Sequence, residues 1–595
     1  MEAGIQKDTN TEALQQQGEP EELLLTPQDI TDALISWPAL FIYVTLLGAW
    51  VRVWLANRIG FPLNDGLFAL DLARAVEGQA WPLAPFMTYN GQDVAFAHPP
   101  LAPYIAVFFG WLRDMTLIQT FTFYPMWISI LSVPVFFIMA TDMMGSRWRA
   151  FTATLVFAFT PSLLINGMYG SAVVTGTAQL LAMLTIWQGY LLIANGRERH
   201  LLPTALFLTL TAFTHGETTL VAVGVLVLLT VVFGRNRLSP LHLLLVLSVM
   251  LVALFVWLTP VLWLHGAGPF LGVFPMAKVG TDLTAGTLVA AQSLFTGEIL
   301  VPMLTVIGVL GAFVALAKRN PFLPLWLAFT LLFFREEMLM MAALPLAMLV
   351  AVALHFWILP VLMAAGHETF AGGIAYIDYY SQRQWLRRLN ERLYTLPAVL
   401  LVVLLAGYTA FGTVSALTIK TDDGSVSVST ADQEAFAWAA KNVRAQVAKN
   451  TKQMVPPLPF IVISGANGWK QDTVNAWFPL LAGNFSRTLV PGSGWYERFA
   501  REEAAYFSFE GCLNASSTDC LLEAEAAALG VTVEDILAGD VAPFYTHIYM
   551  SPDAQGALRV TLLNSPNFER IYNRNGVVIY ARVINANFTP AARLN

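Results

Sequence analysis

Charged residues are scarce in this chain. Of its 595 residues, 12% are Asp, Glu, Lys or Arg and 56% are hydrophobic, whereas soluble domains carry about 25% charged residues. The formal net charge is -7, so the chain lacks the basic excess of a nucleic-acid binder. The composition argues against a soluble multidomain enzyme, a disordered chain and a nucleic-acid partner, and it predicts a long block in the lipid bilayer.

Basic residues are also missing from the start of the chain, where Lys7 is the single one before residue 36. A cleavable signal peptide needs a basic start and a short apolar core. The stretch is instead rich in Gln and Glu. We therefore expect residues 1–35 to be a disordered cytoplasmic tail.

Cysteine is almost absent, with two residues, Cys512 and Cys520, eight positions apart. The pair can close a small loop if that segment lies in an oxidising compartment. Two free surface thiols are the alternative. The topology described next places the segment outside the cytoplasm, so the sequence favours a Cys512–Cys520 disulfide.

Long hydrophobic runs dominate the first two thirds of the chain. A spanning helix needs about 20 apolar residues. About eleven runs qualify, two of them short: Ser36–Ala56, Thr120–Met143, Trp148–Met168, Val173–Ile193, Leu201–Phe213, Thr218–Phe233, Leu241–Leu264, Leu300–Leu316, Pro321–Phe334, Met338–Met363 and Pro397–Leu417. A further run, Pro100–Leu112, is too short to span comfortably and is expected to lie in the membrane surface.

The arginines and lysines of the short loops set the orientation. With a cytoplasmic N-terminus, the inside loops hold twelve of them: Arg147, Arg149, Arg197, Arg199, Arg235, Arg237, Lys318, Arg319, Arg383, Arg387, Arg388 and Arg392. The asymmetry holds if Pro100–Leu112 does not span. We therefore predict a multi-pass protein of the cell membrane with its C-terminus outside the cytoplasm.

The composition changes near residue 419, where charged residues, Asn, Gly and Ser rise. Asp432–Ala448 and Glu502–Phe507 are predicted helices. Phe460–Ile463, Leu558–Leu563 and Val577–Val583 are predicted strands, with a turn at Asn573–Gly576. The predicted fold is thus a polytopic α-helical membrane domain over 36–418, with interfacial helices in its first outer loop, and an extracytoplasmic α/β domain over 419–595.

Ionisable residues near the outer ends of the spans are the candidates for chemistry, because such residues are costly at membrane depth. Asp65 precedes the apolar face of a short helix, and either Asn64 or Asp65 can simply cap that helix. Asp71 and Arg74 are three positions apart. They either line a pocket or form a salt bridge on the helix surface.

Three further groups lie at outer ends. His98 opens His98-Pro99-Pro100-Leu101, either as a stiff turn or as a donor to an anionic headgroup, by hydrogen bond or as imidazolium. His215 and Glu217 are weak candidates for a divalent metal, and a hydrogen-bonded pair is the alternative. Arg335, followed by Glu336 and Glu337, suits a phosphate or lies at a helix end as a snorkelling arginine.

The first loop resembles that of GT-C membrane glycosyltransferases, in the branch of protein O-mannosyltransferases and aminoarabinose transferases. The likeness runs through Asn64–Leu70, Ala73-Arg74-Ala75, Tyr89-Asn90-Gly91 and His98–Leu101. In that family an acidic residue follows the first span, and a Lys/His-Pro-Pro-Leu motif opens a second interfacial helix. Arg335 with Leu339 and Pro345 also resembles a later family pattern.

The resemblance implies inverting transfer of a sugar from a polyprenyl-phosphate donor to an acceptor hydroxyl or amine. Asp65 would then be the general base, and His98 and Arg335 would bind the donor phosphate. Asp71, Arg74, Tyr89, His215, Glu217 and Glu336 are further candidates for the substrate pocket. No cofactor is required, and a divalent metal is compatible with the pattern.

The chain departs from the family at two points. Gly66 follows Asp65, where the family often has Glu, and the loop Asn166–Ser171 carries no acid. Two alternatives therefore stand beside the enzyme: a transporter or flippase for lipid-linked sugars, and a scaffold that kept the fold with altered catalysis.

Overall fold

The computed structural model describes residues 36–59, 66–78, 86–95, 98–167, 172–234, 238–266, 303–333, 339–362, 364, 407–408, 411–412, 428–451, 456–466, 472–489, 499–539 and 541–583. Predictions for the tail at 1–35 and for most of the span Pro397–Leu417 fall outside these residues. The boundary at 418 also falls outside them and stays a prediction.

The N-terminal block is helical. Its elements are α1 (Trp37–Ile59), α2 (Gly66–Gly78), β1 (Phe86–Tyr89), β2 (Gln92–Ala95), α3 (Leu101–Arg113), α4 (Leu117–Met144), α5 (Arg147–Phe159), α6 (Pro161–Asn166), α7 (Ala172–Ile193), α8 (Leu201–Ala212), α9 (Gly216–Phe233), α10 (Leu238–His265), α11 (Met303–Ala317), α12 (Phe322–Phe333) and α13 (Leu339–Ala353). A π-helical turn, Leu354–Ile358, continues α13.

Six helices in the described part of the chain are long and apolar enough to cross a membrane: α1, α4, α7, α9, α10 and α13 with its extension. The edge helix α10 has large apolar side chains facing outward, with Trp263 84% exposed and Val256 71% exposed. A face of this kind suits lipid rather than water. The chain is therefore a multi-pass membrane protein.

Helices are found at ten of the eleven predicted spans, with ends within a few residues of the prediction, whereas the crossing count of eleven is not established. The prediction of one continuous helix over Trp148–Met168 is wrong. Thr160 has φ -65 and ψ 120, and it separates α5 from α6. Proline at the next position disfavours helical geometry in the residue before it and supplies no N–H.

The first outer loop folds as two short helices around a hairpin. Strands β1 and β2 pair antiparallel, from Phe86 with Ala95 to Tyr89 with Gln92. Asn90 (φ 51) and Gly91 (φ 74) form the turn, in the left-handed conformation that Asn-Gly favours. Helix α3, of 13 residues, coincides with the predicted interfacial helix Pro100–Leu112.

The C-terminal domain has mixed α/β structure. Its elements are α14 (Thr430–Thr451), β3 (Pro459–Ile463), α15 (Thr473–Ala482), β4 (Phe485–Ser486), α16 (Phe499–Gly511), α17 (Asp519–Leu529), α18 (Val533–Ala538), β5 (His547–Met550), α19 (Ala557–Asn564), β6 (Phe568–Arg574) and β7 (Val577–Arg582). The five strands form one sheet in the order β4-β3-β5-β7-β6, with β3 parallel to β4 and β5 and the remaining pairs antiparallel.

Most predictions for this domain are confirmed, including the helices, the two strands at Phe460 and Val577 and the turn at Asn575-Gly576. Cys512 and Cys520 form a disulfide. The strand predicted at Leu558–Leu563 is wrong, because these residues lie in α19. Leu558 and Leu562, one helical turn apart, are the buried pair. This spacing suits a helix, although the segment begins with the apolar-polar alternation of a strand.

The two ends of the helical block differ. Lys318 Nζ lies 4.1 Å and Arg149 Cζ 4.9 Å from the ring centre of Phe356, so two predicted inside loops meet at one end. At the opposite end of α4, Phe121 and Tyr124 share a hydrophobic cluster with Phe436 and Phe478 of the C-terminal domain. This separation agrees with the predicted topology; which end faces the cytoplasm stays a prediction.

Candidate active site

The first outer loop and the turns beside it hold the described candidates. Asp65, the predicted base, lies outside the described residues, and so do Arg335 and Glu336, so their predicted roles stay predictions. The flanking elements are described: α2 begins directly after Asp65, and α13 begins four residues after Arg335.

Asp71 is the described carboxylate of this region. It lies on α2, which packs against α3, α4 and α7, and its side chain is 7% exposed. Its Oδ2 has no hydrogen-bond partner among the described residues. Burial raises the pKa of Asp71 to about 6, and Arg74, three positions along and exposed, opposes that rise. The structure thus supplies a desolvated carboxyl that titrates near neutral pH.

His98 and His215 form a second feature that the structure brings together. The backbone N–H of Leu101 donates to Phe213 O at 2.9 Å, so the His98-Pro99-Pro100-Leu101 segment lies against the turn before α9. Burial, with a smaller contribution from the charge of the neighbouring His215, lowers the pKa of His98 to about 4. His98 is therefore a neutral imidazole at pH 7, which favours hydrogen bonding over the imidazolium alternative.

His215 is the N-cap of α9. Its Nδ1 accepts the N–H of Thr218 at 3.4 Å and lies 3.0 Å from the Thr218 hydroxyl. The nitrogen that caps the helix is not available to a metal ion. Glu217 lies in the first turn of the same helix. The described residues contain no group of three or more His, Cys, Asp or Glu side chains placed to hold a metal, so a metal role for His215 and Glu217 gains no support.

Tyr89 and Asn90 contact the C-terminal domain. The Tyr89 hydroxyl donates to Ala476 O at 3.0 Å, and the side-chain amide of Asn90 bonds to the backbone of Ser486. The structure therefore places the Tyr89 hydroxyl at a contact between domains. Its predicted part in a substrate pocket stays untested.

Arg52 was missed by the sequence interpretation. It lies in the middle of α1 and is 1% exposed. Its guanidinium donates to Ser129 Oγ at 2.7 Å, Gly48 O at 3.0 Å and Ala158 O at 3.2 Å. An arginine inside an apolar run is itself a signal of a polar site in the membrane, whereas mean hydropathy alone indicates only a span.

The whole arrangement has the fold of GT-C membrane glycosyltransferases. The solved structure of ArnT from Cupriavidus metallidurans bound to undecaprenyl phosphate is similar over 92% of this chain and 98% of its own length, at 15% identity and a TM-score of 0.52. The apo structure of the same protein matches over 93% and 98%, at 15% identity and a TM-score of 0.53.

A second solved structure, of arabinofuranosyltransferase AftD from Mycobacteria, is similar over 90% of this chain and 41% of its own, at 17% identity and a TM-score of 0.52. No protein-family model matches the chain, and no curated protein does. At these identities the comparisons show the fold. The predicted resemblance to the aminoarabinose-transferase branch is thereby confirmed as a structural one.

Proposed function

We propose that this protein is a membrane glycosyltransferase that moves a sugar from a polyprenyl-phosphate donor to an acceptor at the outer face of the membrane, with inversion at the anomeric carbon. The observation that carries the proposal is the full-length likeness to ArnT, which includes the C-terminal domain and 98% of the ArnT chain. That ArnT structure holds undecaprenyl phosphate, which supports a lipid phosphate as donor carrier here.

Asp65 is the proposed general base. The acceptor oxygen or nitrogen attacks the anomeric carbon and gives its proton to the Asp65 carboxylate. The bond from that carbon to the phosphate oxygen breaks, and polyprenyl phosphate leaves as an anion. A phosphate leaving group is a weak base, so the step needs no general acid and gains from positive charge and hydrogen-bond donors instead.

His98 and Arg335 are the proposed ligands of the donor phosphate. A neutral His98, whose pKa is about 4, can donate one hydrogen bond to a phosphate oxygen without adding charge. Arg335 would supply the cation in a forked, two-donor geometry. The acceptor, whether protein, glycan or lipid, would reach Asp65 from the outer side, beneath the C-terminal domain. No cofactor enters this step.

The replacement Asp65→Asn tests the proposal. Removing a general base lowers rates by about 10²–10⁴-fold, so we expect at least a 100-fold loss of sugar transfer. Transfer is measured in membranes from cells that make the protein, with radiolabelled polyprenyl-phosphate mannose, arabinose and aminoarabinose as donors. The matched control is Asp114→Asn, the same chemical change at an exposed residue that ends α3 with φ 54. Normal transfer in Asp65→Asn would remove Asp65 as the base.

Detergent-solubilised protein separates the enzyme from a transporter or scaffold. An enzyme transfers sugar with no membrane and no gradient, whereas a transporter has no compartments to connect and a scaffold releases no polyprenyl phosphate. We expect release of polyprenyl phosphate in detergent with at least one of the three donors when extracted envelope material supplies the acceptor. Failure with all three would refute the enzymatic proposal.

A further inference from the structure

A hydrogen-bonded clasp joins the first outer loop to the C-terminal domain. Asn90 Nδ2 donates to Ser486 O at 2.7 Å, and the Ser486 N–H donates to Asn90 Oδ1 at 2.8 Å. The Tyr89 hydroxyl adds a bond to Ala476 O at 3.0 Å. The two Asn90 bonds join the hairpin turn to strand β4, and the Tyr89 bond joins the hairpin to helix α15. The residues that they link lie nearly four hundred positions apart in the chain.

Strand β4 is the edge of the five-stranded sheet. On its inner side, the Phe485 N–H donates to the carbonyl oxygen of Leu458, just before β3, and the Arg487 N–H donates to the carbonyl oxygen of Phe460 in β3. Ser486, between them, directs its N–H and C=O outward, where an edge strand normally has no partner. The side-chain amide of Asn90 bonds to both groups at once, so one side chain takes the place of a neighbouring strand at Ser486.

Buried hydrogen bonds within the C-terminal domain hold Ser486, the partner of Asn90, in place. The Ser486 hydroxyl donates to Asn475 Oδ1 at 2.5 Å, and Asn475 Nδ2 donates to Thr488 O at 2.9 Å. Asn475 lies in the first turn of α15, whose N-cap Asp472 accepts the Asn475 N–H at 2.9 Å. The chain Asp472–Asn475–Ser486 is buried throughout. Strand β4 is therefore held by contacts within its own domain that do not involve the hairpin.

Gly91 permits the close approach. Its φ is +74, and a Cβ there would lie 2.5 Å from Cε1 of Phe485. Any side chain would strain the turn and collide with β4. The Asn-Gly pair thus serves the hairpin turn and the docking contact together.

The clasp lies midway along the loop that carries the candidate site. The hairpin follows α2, which holds Asp71 and directly follows Asp65, and it precedes His98 and α3. Fixing the hairpin to β4 removes conformational freedom from both flanks. We propose that Asn90 is a positioning residue: through Ser486 it holds the first outer loop, and with it the base and the phosphate-binding histidine, in register with the C-terminal domain. The effect on catalysis rests on the proposed function; the docking does not.

A second Asn-Gly turn provides a matched control. Asn575 (φ 50) and Gly576 (φ 82) join β6 to β7 with the same backbone geometry, but the Asn575 amide bonds an exposed carboxylate, Glu434 Oε2, at 3.0 Å within the same domain. Asn575→Ala therefore removes a turn asparagine without touching the clasp.

Hydrogen exchange of the full-length protein in detergent micelles tests the docking. We expect Asn90→Ala to speed exchange of the Ser486 amide at least tenfold, while the amides of Phe485 and Arg487, bonded within the sheet, change little. Asn575→Ala should leave all three unchanged. Unchanged exchange at Ser486 in Asn90→Ala would overturn the clasp, whatever the protein's activity.

Steady-state kinetics of sugar transfer tests the positioning role. Asn90→Ala should lower kcat about tenfold with the donor KM nearly unchanged, because the loop is less well positioned while the groups that bind the donor are still present. Asn575→Ala should leave both kcat and KM unchanged.

The outcomes separate the two proposals. A tenfold exchange effect without any transferase activity in the unaltered protein would leave the docking in place and refute the proposed function. Transfer that Asn90→Ala leaves at the unaltered rate would overturn the positioning role.

Discussion

The C-terminal domain and the helical N-terminal block, called the membrane block below, differ in the partners of their buried charged side chains. In the C-terminal domain, Glu525 is fully buried, and both its oxygens lie 3.0 Å from Arg582 Nη1. Glu525 also accepts the Phe544 N–H at 2.8 Å. Asp432, 1% exposed, accepts the Tyr549 hydroxyl at 2.6 Å. Glu525 and Asp432 are thus satisfied by donors, as a structural role requires, whereas Asp472, also buried in this domain, has no hydrogen-bond partner for its Oδ2 among the described residues.

In the membrane block, Asp71 and Arg52 are as deeply buried but less fully paired. Asp71 Oδ2 has no described partner, and the partners given above for Arg52 are a hydroxyl and two carbonyls rather than a carboxylate. Leaving a charged group partly unsatisfied is costly. The difference teaches that the ion pair of Glu525 with Arg582 stabilises the C-terminal domain, whereas Asp71 in the membrane block, like Asp472, keeps one buried oxygen without a described partner at a cost in stability.

The largest predicted effect breaks the paired carboxylate. Arg582→Met leaves Glu525 buried without its cation, and we expect the free energy of unfolding of the C-terminal domain to fall by about 3–5 kcal/mol. Hydrogen exchange of β5 and β7 in the full-length protein measures it. Arg570→Met, at an exposed residue of β6, is the control and should cost under about 0.5 kcal/mol. Equal losses in the two variants would contradict the structural role of the pair.

A smaller effect, of opposite sign, is expected for Asp71→Asn. The pKa of Asp71 is raised to about 6, so the folded state favours the protonated form and the ionised carboxylate destabilises it above that pH. The variant should be more stable than the unaltered protein by about 1–3 kcal/mol at pH 8. The gain should shrink as the pH falls through 6 and vanish near 4.

Hydrogen exchange of the backbone amides of α2 measures the stability of the variant. Sugar transfer is measured on the same samples. We expect the stabilised Asp71→Asn variant to transfer sugar more slowly, since the unsatisfied carboxylate is the feature that a substrate would use. A variant that is destabilised at pH 8 would show that Asp71 is a structural residue.

The smallest predicted effect is a change of pH slope in the C-terminal domain. Burial is the main cause that raises the pKa of Glu510 to about 7; the hydrogen bond from the Ser464 N–H opposes the rise, and the charge of Asp472 adds to it. Because the folded state holds this proton longer than the unfolded state, Glu510 lowers stability as the pH rises from about 4.5 to 7. His547, whose burial lowers its pKa to about 4, acts in the opposite direction.

Glu510→Gln removes one of these opposing contributions. Its stability, followed by exchange of β3, should rise more steeply with pH between 4.5 and 7 than that of the unaltered protein. Glu523→Gln, at an exposed glutamate of α17, should keep the original slope. Parallel curves for Glu510→Gln and the unaltered protein would refute the raised pKa.

The helices of the membrane block were predictable because the bilayer requires long apolar runs, and such runs are visible in the sequence. The break at Thr160 was also visible, since Pro161 follows it, but hydropathy alone does not register it. The error at Leu558–Leu563 has another origin. The segment begins with alternating apolar and polar residues, Leu558-Arg559-Val560-Thr561, as a strand does, and the packing of Leu558 and Leu562 decides for a helix.

The sequence indicates candidate site residues one by one but not their arrangement, and their roles stay predictions. The sequence singled out His98 and His215 separately, because nothing local says that the Leu101 N–H bonds to Phe213 O. Likewise Asn90-Gly91 indicates a turn from its own chemistry, whereas its partner Ser486 is fixed by tertiary packing far along the chain. Local signals specify turns, caps and spans; contacts of long sequence separation do not appear in them.

The shared hydrophobic cluster and the clasp also constrain biosynthesis. Asn90 and Ser486 are separated by 396 positions, and a ribosome adding about 5–20 residues per second needs roughly 20–80 s to bridge them. Throughout that interval the hairpin has no partner strand, while the intervening helices are synthesised. The contact between the hairpin and β4 therefore forms late in the folding of the chain.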